Sequence, residues 1–281
     1  MPGPGRLRSI AKAILPAPLR AALAAVAGRQ PRAAKIDFSV PEAGAAPSPY
    51  DFPVARPNLL EELGAKYQPT KRLHHYLPHY WTHFRDIREQ VRCVVEIGLE
   101  TDRSLRMWEE FFPHAAILGV DIDPACAAFA GGRRRVFIGD QSDPRFLASV
   151  LAQAPSAPDV VIDDGSHRVE HQVASLEFLF PRMSSHGIYV IEDTGGVVED
   201  EALATVNAVK RLVDHVMYWP RGHAPRRWRE LAAFGDEAGW ADRSIIGVAF
   251  YRWMAVILRG RNPGDNPYLG PGAPEVPRRE P

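Results

Sequence analysis

The chain is poor in cysteine and has no excess of charge of either sign. Its 281 residues include two cysteines, Cys93 and Cys126, which are not spaced as a CxxC pair. This pattern indicates free thiols in a reducing cytoplasm rather than a disulfide framework. Lysine plus arginine and aspartate plus glutamate number 34 each, so the formal net charge is zero. A neutral chain has no overall basic field for nucleic acid or for an anionic membrane surface.

A long apolar run is also missing. No segment approaches the ~20 apolar residues of a transmembrane helix, so we expect no stable membrane insertion. One alternative stays open near the N terminus, where AVAG (25–28) is similar to a signal-peptide cleavage site. Pro16, Pro18 and Arg20 interrupt the apolar stretch that a signal peptide needs.

Composition divides the chain into three parts. Residues 1–55 are rich in alanine, arginine and proline and hold no clear strand, which predicts an N-terminal arm and linker. Residues 263–281 are rich in proline and glycine and predict a disordered tail. Hydrophobic residues make up 46% of the chain, enough to give residues 56–262 a folded core.

Between these ends, strand-like and helix-like segments alternate. Five short apolar runs rich in valine and isoleucine each end in glycine or an acid: 92–98, 115–123, 134–140, 158–165 and 187–193. Continuous apolar runs are typical of strands covered on both faces, which favours a parallel sheet. Helix-like segments lie at 104–112, 143–154 and 171–183. The alternation predicts an α/β sandwich of three layers, followed by a terminal antiparallel pair at 244–252 and 254–260.

Carboxylates stand at the end of every predicted parallel strand. Ligands bind beyond the carboxyl ends of such strands, so we expect one rim lined with acids: Glu96, Asp121, Asp123, Asp140, Asp163, Asp164, Glu192 and Asp193. Helix capping and turn formation explain several of them individually, but not their joint placement. Buried like charges repel, so the adjacent acids of PDVVIDDGSH (158–167) require a cation beside them.

The second strand suggests which small molecule this rim binds. Asp121 ends that strand after a strand–glycine–helix turn, a position from which a carboxylate accepts hydrogen bonds from ribose hydroxyls. The turn itself, EIGLETDRS (96–104), is not a GxGxxG fingerprint, so a dinucleotide with a pyrophosphate is disfavoured. S-adenosylmethionine fits better, because it has a ribose, an adenine and an amino-acid end but no phosphate.

Several segments together resemble a known family. They are EIG (96–98), SLRMW (104–108), GVDID (119–123), GDQSDP (139–144), VIDDGSH (161–167), GIYVIEDT (187–194) and the ending AFYR-MAVIL. Over about residues 66–260 the chain is similar to the class I, metal-dependent O-methyltransferases that methylate sugars of macrolide antibiotics. These are the mycinamicin and tylosin type, within a wider group that includes cephalosporin hydroxylase-like proteins. VIDDGSH and IYVIEDT are the most specific part of the resemblance.

The resemblance implies a Rossmann-like class I methyltransferase fold, a mostly parallel seven-stranded sheet with a terminal antiparallel hairpin. It implies that Asp164, Glu192 and Asp193 hold Mg²⁺ and that His167 is the general base. Hard oxygen ligands suit Mg²⁺, and neither the cysteines nor a histidine pair suggests Zn²⁺. Contacts to S-adenosylmethionine are expected from residues at the strand ends and the turns after them: Glu96, Gly98, Ser104, Asp121, Asp140, Gln141 and Asp163.

In this chemistry the metal coordinates a substrate hydroxyl and lowers its pKa, His167 takes the proton, and the alkoxide attacks the sulfonium methyl. Plainer interpretations stay open: His167 as a helix cap, the acids as a structural cation site, and Gln141 with Ser142 as an ordinary turn. The sequence departs from the family at LET (99–101), where the family is richer in glycine. The loop below the methionine end of the cofactor must therefore be built differently.

Two aromatic segments are expected to face the acceptor: residues 66–84, dense in histidine and tyrosine, and residues 218–230, with Trp219 and Trp228. A packed surface loop is the plainer interpretation of the second segment. The leading hypothesis is an O-methyltransferase that acts on a sugar hydroxyl of a glycosylated natural product. A catechol or other vicinal diol as acceptor, or a non-catalytic module that binds the cofactor or a metal, stays open as an alternative. The arm and the resemblance favour a homo-oligomer.

Overall fold

The computed structural model describes residues 58–195, 203–217 and 239–262. All of them belong to the unit formed by residues 52–281. The predicted arm, the predicted tail and the tryptophan-bearing segment 218–230 lie outside the described residues, so the three-part division of the chain stays a prediction. No helix in the described part is long and apolar enough to cross a lipid bilayer.

Within the described residues, seven strands form one mixed sheet in the order β3-β2-β1-β4-β5-β7-β6. The first five pair in parallel: β1 (Cys93–Ile97), β2 (Ala116–Asp121), β3 (Arg134–Ile138), β4 (Val160–Asp163) and β5 (Ile188–Ile191). The last two, β6 (Ile245–Tyr251) and β7 (Met254–Arg259), form an antiparallel hairpin whose second strand pairs with β5. The predicted fold class is confirmed. Each strand is slightly shorter than its apolar run, because the terminal glycines and most of the acids belong to the loops.

Helices precede the sheet and connect its strands. They are α1 (Leu59–Tyr67), α2 (Thr70–Leu73), α3 (Leu77–Phe84), α4 (Arg103–Phe111), α5 (Pro144–Leu151), α6 (Val169–Leu179), α7 (Ala204–Lys210), α8 (Val213–Val216) and α9 (Trp240–Ser244). The three predicted helices correspond to α4, α5 and α6. Helix α5 shows why such predictions succeed, because Pro144 occupies its first turn and the Asp143 carboxylate accepts the Arg145 amide at 2.8 Å.

The sheet is buried on both faces. β1, β4 and β5 are buried along their whole length. Successive side chains point to opposite faces, so Val94 packs in one core with Phe84 and Trp108, whereas Val95 packs in the other with Leu147. Helices α1, α3 and α4 contribute to the first core, and α5 and α6 to the second. This two-sided burial explains the continuous apolar runs of the sequence.

Strand β1 lies between β2 and β4, so the strand order reverses beside it. In open parallel sheets such a switch point opens a crevice at the carboxyl ends of the strands, which is where ligands bind. The acids at the ends of β1, β2, β4 and β5 therefore share one edge of the sheet.

Two smaller predictions are also confirmed. Cys93 and Cys126 are both buried and free, and burial raises the pKa of the Cys93 thiol to about 12. Tyr251 of β6 pairs with Met254 of β7, which leaves Arg252 and Trp253 as the hairpin turn.

His79 on α3 gives the fold a pH dependence that can be measured. Its ring stacks on Tyr251 with the centroids 3.9 Å apart, and burial lowers its pKa from 6.5 to about 4. Between these values the unfolded chain binds a proton that the folded chain does not, so this group makes stability fall as the pH falls. The variant His79→Phe should lack this contribution. Urea titrations measure the unfolding free energy of the variant and of the unmodified protein. The value for the variant minus that for the unmodified protein should become more positive as the pH is lowered from 7 to 4.5. A difference that does not change with pH would contradict the lowered pKa of His79.

Candidate active site

The loops after β1 and β4 approach each other closely at the rim. Gly98 has a φ of +85°, and a Cβ atom there would lie 2.0 Å from the Asp164 carbonyl oxygen. The Asp164 amide donates to the Ile97 carbonyl at 2.9 Å. Only glycine fits this combination of left-handed backbone and close contact. Gly98 thus allows the carboxyl end of β1 to lie directly against the acidic loop of β4.

Lys71, on α2, lies among the acids of this rim. Its Nζ is 2.6 Å from Asp164 Oδ2, 2.7 Å from Glu192 Oε1 and 3.1 Å from Glu96 Oε1, and its side chain is 1% exposed. Burial opposes the charge of this ammonium, but attraction to the three carboxylates raises the pKa of Lys71 well above its ordinary value. The sequence predicted a cation beside the acids, but not that the chain itself supplies one.

Two tyrosines from the same part of the chain bind the acids that follow β5. Tyr76, which precedes α3, donates its hydroxyl to Asp193 Oδ1 at 2.5 Å. Tyr80, within α3, donates its hydroxyl to Glu192 Oε1. Residues 66–84 were expected to face the acceptor because they are rich in histidine and tyrosine. That richness was the available signal for these two residues, but it did not reveal that they contact the carboxylates.

The pKa values of two buried carboxylates at the rim, Glu192 and Glu96, are raised although Lys71 lies beside both. Burial, and then repulsion from Asp164, raises the pKa of Glu192 even though Lys71 and Tyr80 favour its charged form. Burial also raises the pKa of Glu96, against the attraction of Lys71. A divalent cation would relieve both effects.

Three side chains at the rim are arranged so that they could hold a metal ion. Asp164, His167 and Asp193 each offer a ligand atom, and these atoms lie within 4.8 Å of one another. Glu192, which the resemblance implied as a third acidic ligand, is not in this group. Its Oε1 is occupied by Lys71 and Tyr80, while its Oε2 is buried and has no hydrogen-bond partner among the described residues. That unpaired oxygen fits a site that is completed by a cation.

His167 has the surroundings of a functional residue. Its Nε2 is 3.7 Å from Asp193 Oδ2, and its Nδ1 is buried and finds no partner in the described part of the chain. His167, Asp193 and Glu100 line the same pocket, with φ values of 56°, 50° and 44°. Such left-handed non-glycine residues cost roughly 1–3 kcal/mol each and concentrate at functional sites. Helix α6 begins after its N-cap Arg168, so His167 does not cap it.

Two adjoining pockets extend from the rim, and Asp121 lines both. One is also lined by Gly98, Ser104, Asp164 and His167. The other is lined by residues that follow β2, β3 and β4: Ile122, Gly139, Asp140, Gln141, Gly165, Ser166 and His171. Five of the seven predicted cofactor contacts therefore face a pocket: Gly98, Ser104, Asp121, Asp140 and Gln141. Their contact with a cofactor stays a prediction.

The other two, Glu96 and Asp163, are fully buried and lie outside the lining of both pockets. Glu96 accepts hydrogen bonds from Ser104 Oγ at 3.0 Å and Trp108 Nε1 at 3.2 Å. Asp163 accepts one from Gln141 Nε2 at 3.0 Å, and burial raises its pKa to about 6. These contacts indicate that Glu96 and Asp163 position Ser104 and Gln141, which themselves face the pockets.

The glycine-poor loop after Gly98 is held by Leu99. The Leu99 side chain is buried against Gly119, where an added Cβ atom would lie 2.9 Å from it. The Leu99 amide donates to Asp121 Oδ2 at 2.7 Å, and the Asp123 amide donates to Asp121 Oδ1 at 2.8 Å. The buried Leu99 side chain thus anchors this loop, although the loop lacks the glycines of the family. The two amides also fix the Asp121 carboxylate, which lines both pockets.

Known proteins resemble this chain in sequence and in fold. No protein-family model matches the chain. Over 222 residues it is 35% identical to mycinamicin VI 2''-O-methyltransferase of Micromonospora griseorubida, covering 72% of this chain and 53% of that one. Over 228 residues it is 36% identical to demethylmacrocin O-methyltransferase of Streptomyces fradiae, covering 74% and 54%. The chain thus spans about half the length of these curated relatives.

A solved structure of the MycE methyltransferase from the mycinamycin biosynthetic pathway, in complex with Mg, SAH and mycinamycin VI, superposes with a TM-score of 0.61. It is 33% identical and covers 77% of this chain and 57% of that one. Fold and rim together define a class I methyltransferase architecture. Within that class, the chain is related by sequence and fold to the O-methyltransferases of macrolide deoxysugars, as its motifs predicted.

Replacing Lys71 tests whether the buried ammonium holds the rim together. Lys71→Met keeps most of the side-chain volume but leaves buried carboxylates without their cation, which should cost roughly 3–5 kcal/mol of unfolding free energy. Urea unfolding without metal measures this loss. Lys66→Met is the matched control, because Lys66 pairs with Glu110 Oε2 at 2.5 Å but is 55% exposed, and its unfolding midpoint should hardly change. Equal effects of the two substitutions would refute the role of Lys71.

Proposed function

We propose that this protein is an S-adenosylmethionine-dependent O-methyltransferase that acts on a sugar hydroxyl of a glycosylated natural product. The observation that carries the proposal is the meeting of Asp164, His167 and Asp193 in the pocket that also contains Asp121. A proton acceptor, hard oxygen ligands and a ribose-binding acid then share one cavity. The named activities of the relatives support the same reaction, although the chain matches only about half of their length.

S-adenosylmethionine would be held in the two pockets that meet at Asp121. When bound, it supplies the methyl group as a sulfonium. Asp121 would accept hydrogen bonds from the ribose hydroxyls, and its carboxylate is already oriented by the amides of Leu99 and Asp123. Asp140 and Gln141 line the pocket on the far side of Asp121, where the adenine end is expected.

A divalent ion would be held by Asp164 and Asp193. Glu192 lies outside that group, but its buried Oε2 has no hydrogen-bond partner among the described residues and would be the further oxygen ligand that the family resemblance implies. Oxygen ligands of this kind suit Mg²⁺, and the ion, when bound, would lower the pKa of an acceptor hydroxyl. Lys71 and Tyr80 both bind Glu192 Oε1, and Tyr76 binds Asp193 Oδ1. These donors therefore leave Glu192 Oε2 and Asp193 Oδ2 available to the ion.

His167 would accept the proton of the sugar hydroxyl. Its Nδ1 is enclosed by the protein, so Nε2 is the ring nitrogen that a substrate can reach. Asp193 Oδ2, 3.7 Å from Nε2, would stabilise the imidazolium that forms. The remaining contribution of the chain is to hold donor and acceptor close together and aligned.

The proposal also includes the cellular compartment of the enzyme, its partners and its assembly. Buried free thiols at Cys93 and Cys126 are consistent with the reducing cytoplasm. The acceptor would be a small glycoside, with no role for nucleic acid. Assembly into a homo-oligomer stays a prediction from the N-terminal arm and the family resemblance.

A methyl-transfer assay with labelled S-adenosylmethionine and a panel of macrolide glycosides tests the function. EDTA should abolish transfer and Mg²⁺ should restore it. His167→Ala should lower the rate by roughly 10²- to 10⁴-fold at neutral pH, with partial recovery at higher pH as hydroxide replaces the imidazole. His114→Ala, at an exposed histidine paired with Glu89, is the control and should retain the rate.

Each outcome bears on a different part of the proposal. Transfer that survives EDTA would refute the metal, and an unchanged rate in His167→Ala would refute the base. Methylation of catechols but not of glycosides would replace the acceptor class. Binding of SAH by calorimetry, without transfer to any acceptor, would indicate a non-catalytic module.

A further inference from the structure

Each carboxylate expected to hold the metal is bonded by a donor from one short segment, residues 71–80. Lys71 Nζ binds Asp164 Oδ2 at 2.6 Å and Glu192 Oε1 at 2.7 Å. Tyr80 OH also donates to Glu192 Oε1, and Tyr76 OH donates to Asp193 Oδ1 at 2.5 Å. One oxygen of each acid is thereby fixed by the protein.

Two of the acids keep a second oxygen that none of these donors binds. Glu192 Oε2 is buried without a partner in the described residues, and Asp193 Oδ2 faces His167 Nε2 at 3.7 Å. A carboxylate that is bonded through one oxygen has a set orientation and offers the other as a single ligand atom. The donors therefore decide which oxygen each acid presents.

The segment itself has little freedom to move. Lys71, Tyr76 and Tyr80 are each 1% exposed. The Tyr80 ring packs against Phe84 and Trp108, with both centroid distances 5.1 Å. His75, at the turn between α2 and α3, has a φ of 60°, which sets the direction in which the chain enters α3. The ordering of the carboxylates is thus completed during folding and need not be repeated when a metal binds.

We propose that Lys71, Tyr76 and Tyr80 are positioning residues for the divalent metal. They hold Asp164, Glu192 and Asp193 in the orientation that the ion requires, and Lys71 also offsets part of their charge. This inference rests on the proposed function, because it takes these acids as the metal site. Partners that orient metal ligands in this way usually contribute about 10- to 100-fold to metal affinity or activity.

Removal of single hydroxyl groups tests the proposal with little change in volume. Tyr76→Phe and Tyr80→Phe should each weaken Mg²⁺ binding about 10- to 100-fold, measured by calorimetry on the full chain with SAH bound. SAH affinity itself should be unchanged. Tyr189→Phe is the matched control, because Tyr189 is also buried and donates to a carboxylate, Asp163 Oδ2 at 3.3 Å, that is outside the metal set. Its Mg²⁺ affinity should equal that of the unmodified protein.

Unfolding midpoints without metal separate positioning from ordinary packing. If Tyr76→Phe and Tyr80→Phe lower the midpoint no more than Tyr189→Phe but weaken Mg²⁺ binding, positioning is supported. If they retain full Mg²⁺ affinity, or if Tyr189→Phe loses as much affinity as they do, the proposal is overturned while the proposed function stands. If the unmodified protein binds no Mg²⁺, the metal-assisted function fails, and the proposal with it.

Discussion

A buried ammonium surrounded by three carboxylates is the interaction on which this structure depends. Charges removed from water are costly, and each is tolerated only when others compensate it. Lys71 lies within 3.1 Å of Glu96, Asp164 and Glu192 and is almost fully enclosed. It connects α2 to the ends of β1, β4 and the loop after β5. The helical segment before the sheet is therefore attached to the rim through charge as well as through apolar packing.

The loops after the strands form the rest of the site around this buried charge cluster. Gly98 allows the loops after β1 and β4 to touch, and Leu99 anchors the next turn so that Asp121 is held between two pockets. His167 and Asp193, which line one of these pockets, adopt left-handed backbone conformations. The proposed cofactor contacts Ser104 and Asp121 thus line the same pocket as the proposed metal ligands Asp164 and Asp193.

Much of the fold was predictable because it depends on local patterns. Apolar runs that end in glycine or an acid predicted the strands, and the helix-like segment 143–154 corresponds to α5. Lys71 could not be found in this way, because its partners lie 93 and 121 residues away and because lysine is seldom buried. Position in the sequence also could not show that Glu96 and Asp163 are fully buried and outside the lining of both pockets, whereas Asp121 lines both. Strand ends fix which acids reach the rim, but long-range packing decides which of their oxygens are free.

The most direct test of this account is anomalous diffraction from crystals grown with Mn²⁺ and SAH. We expect a metal peak in contact with Asp164 and Asp193, while Lys71, Tyr76 and Tyr80 keep their bonds to the carboxylates. A metal at the position of the Lys71 ammonium, with α2 displaced from the rim, would contradict it. So would crystals in which Mn²⁺ is absent from these acids although SAH occupies the pockets beside Asp121.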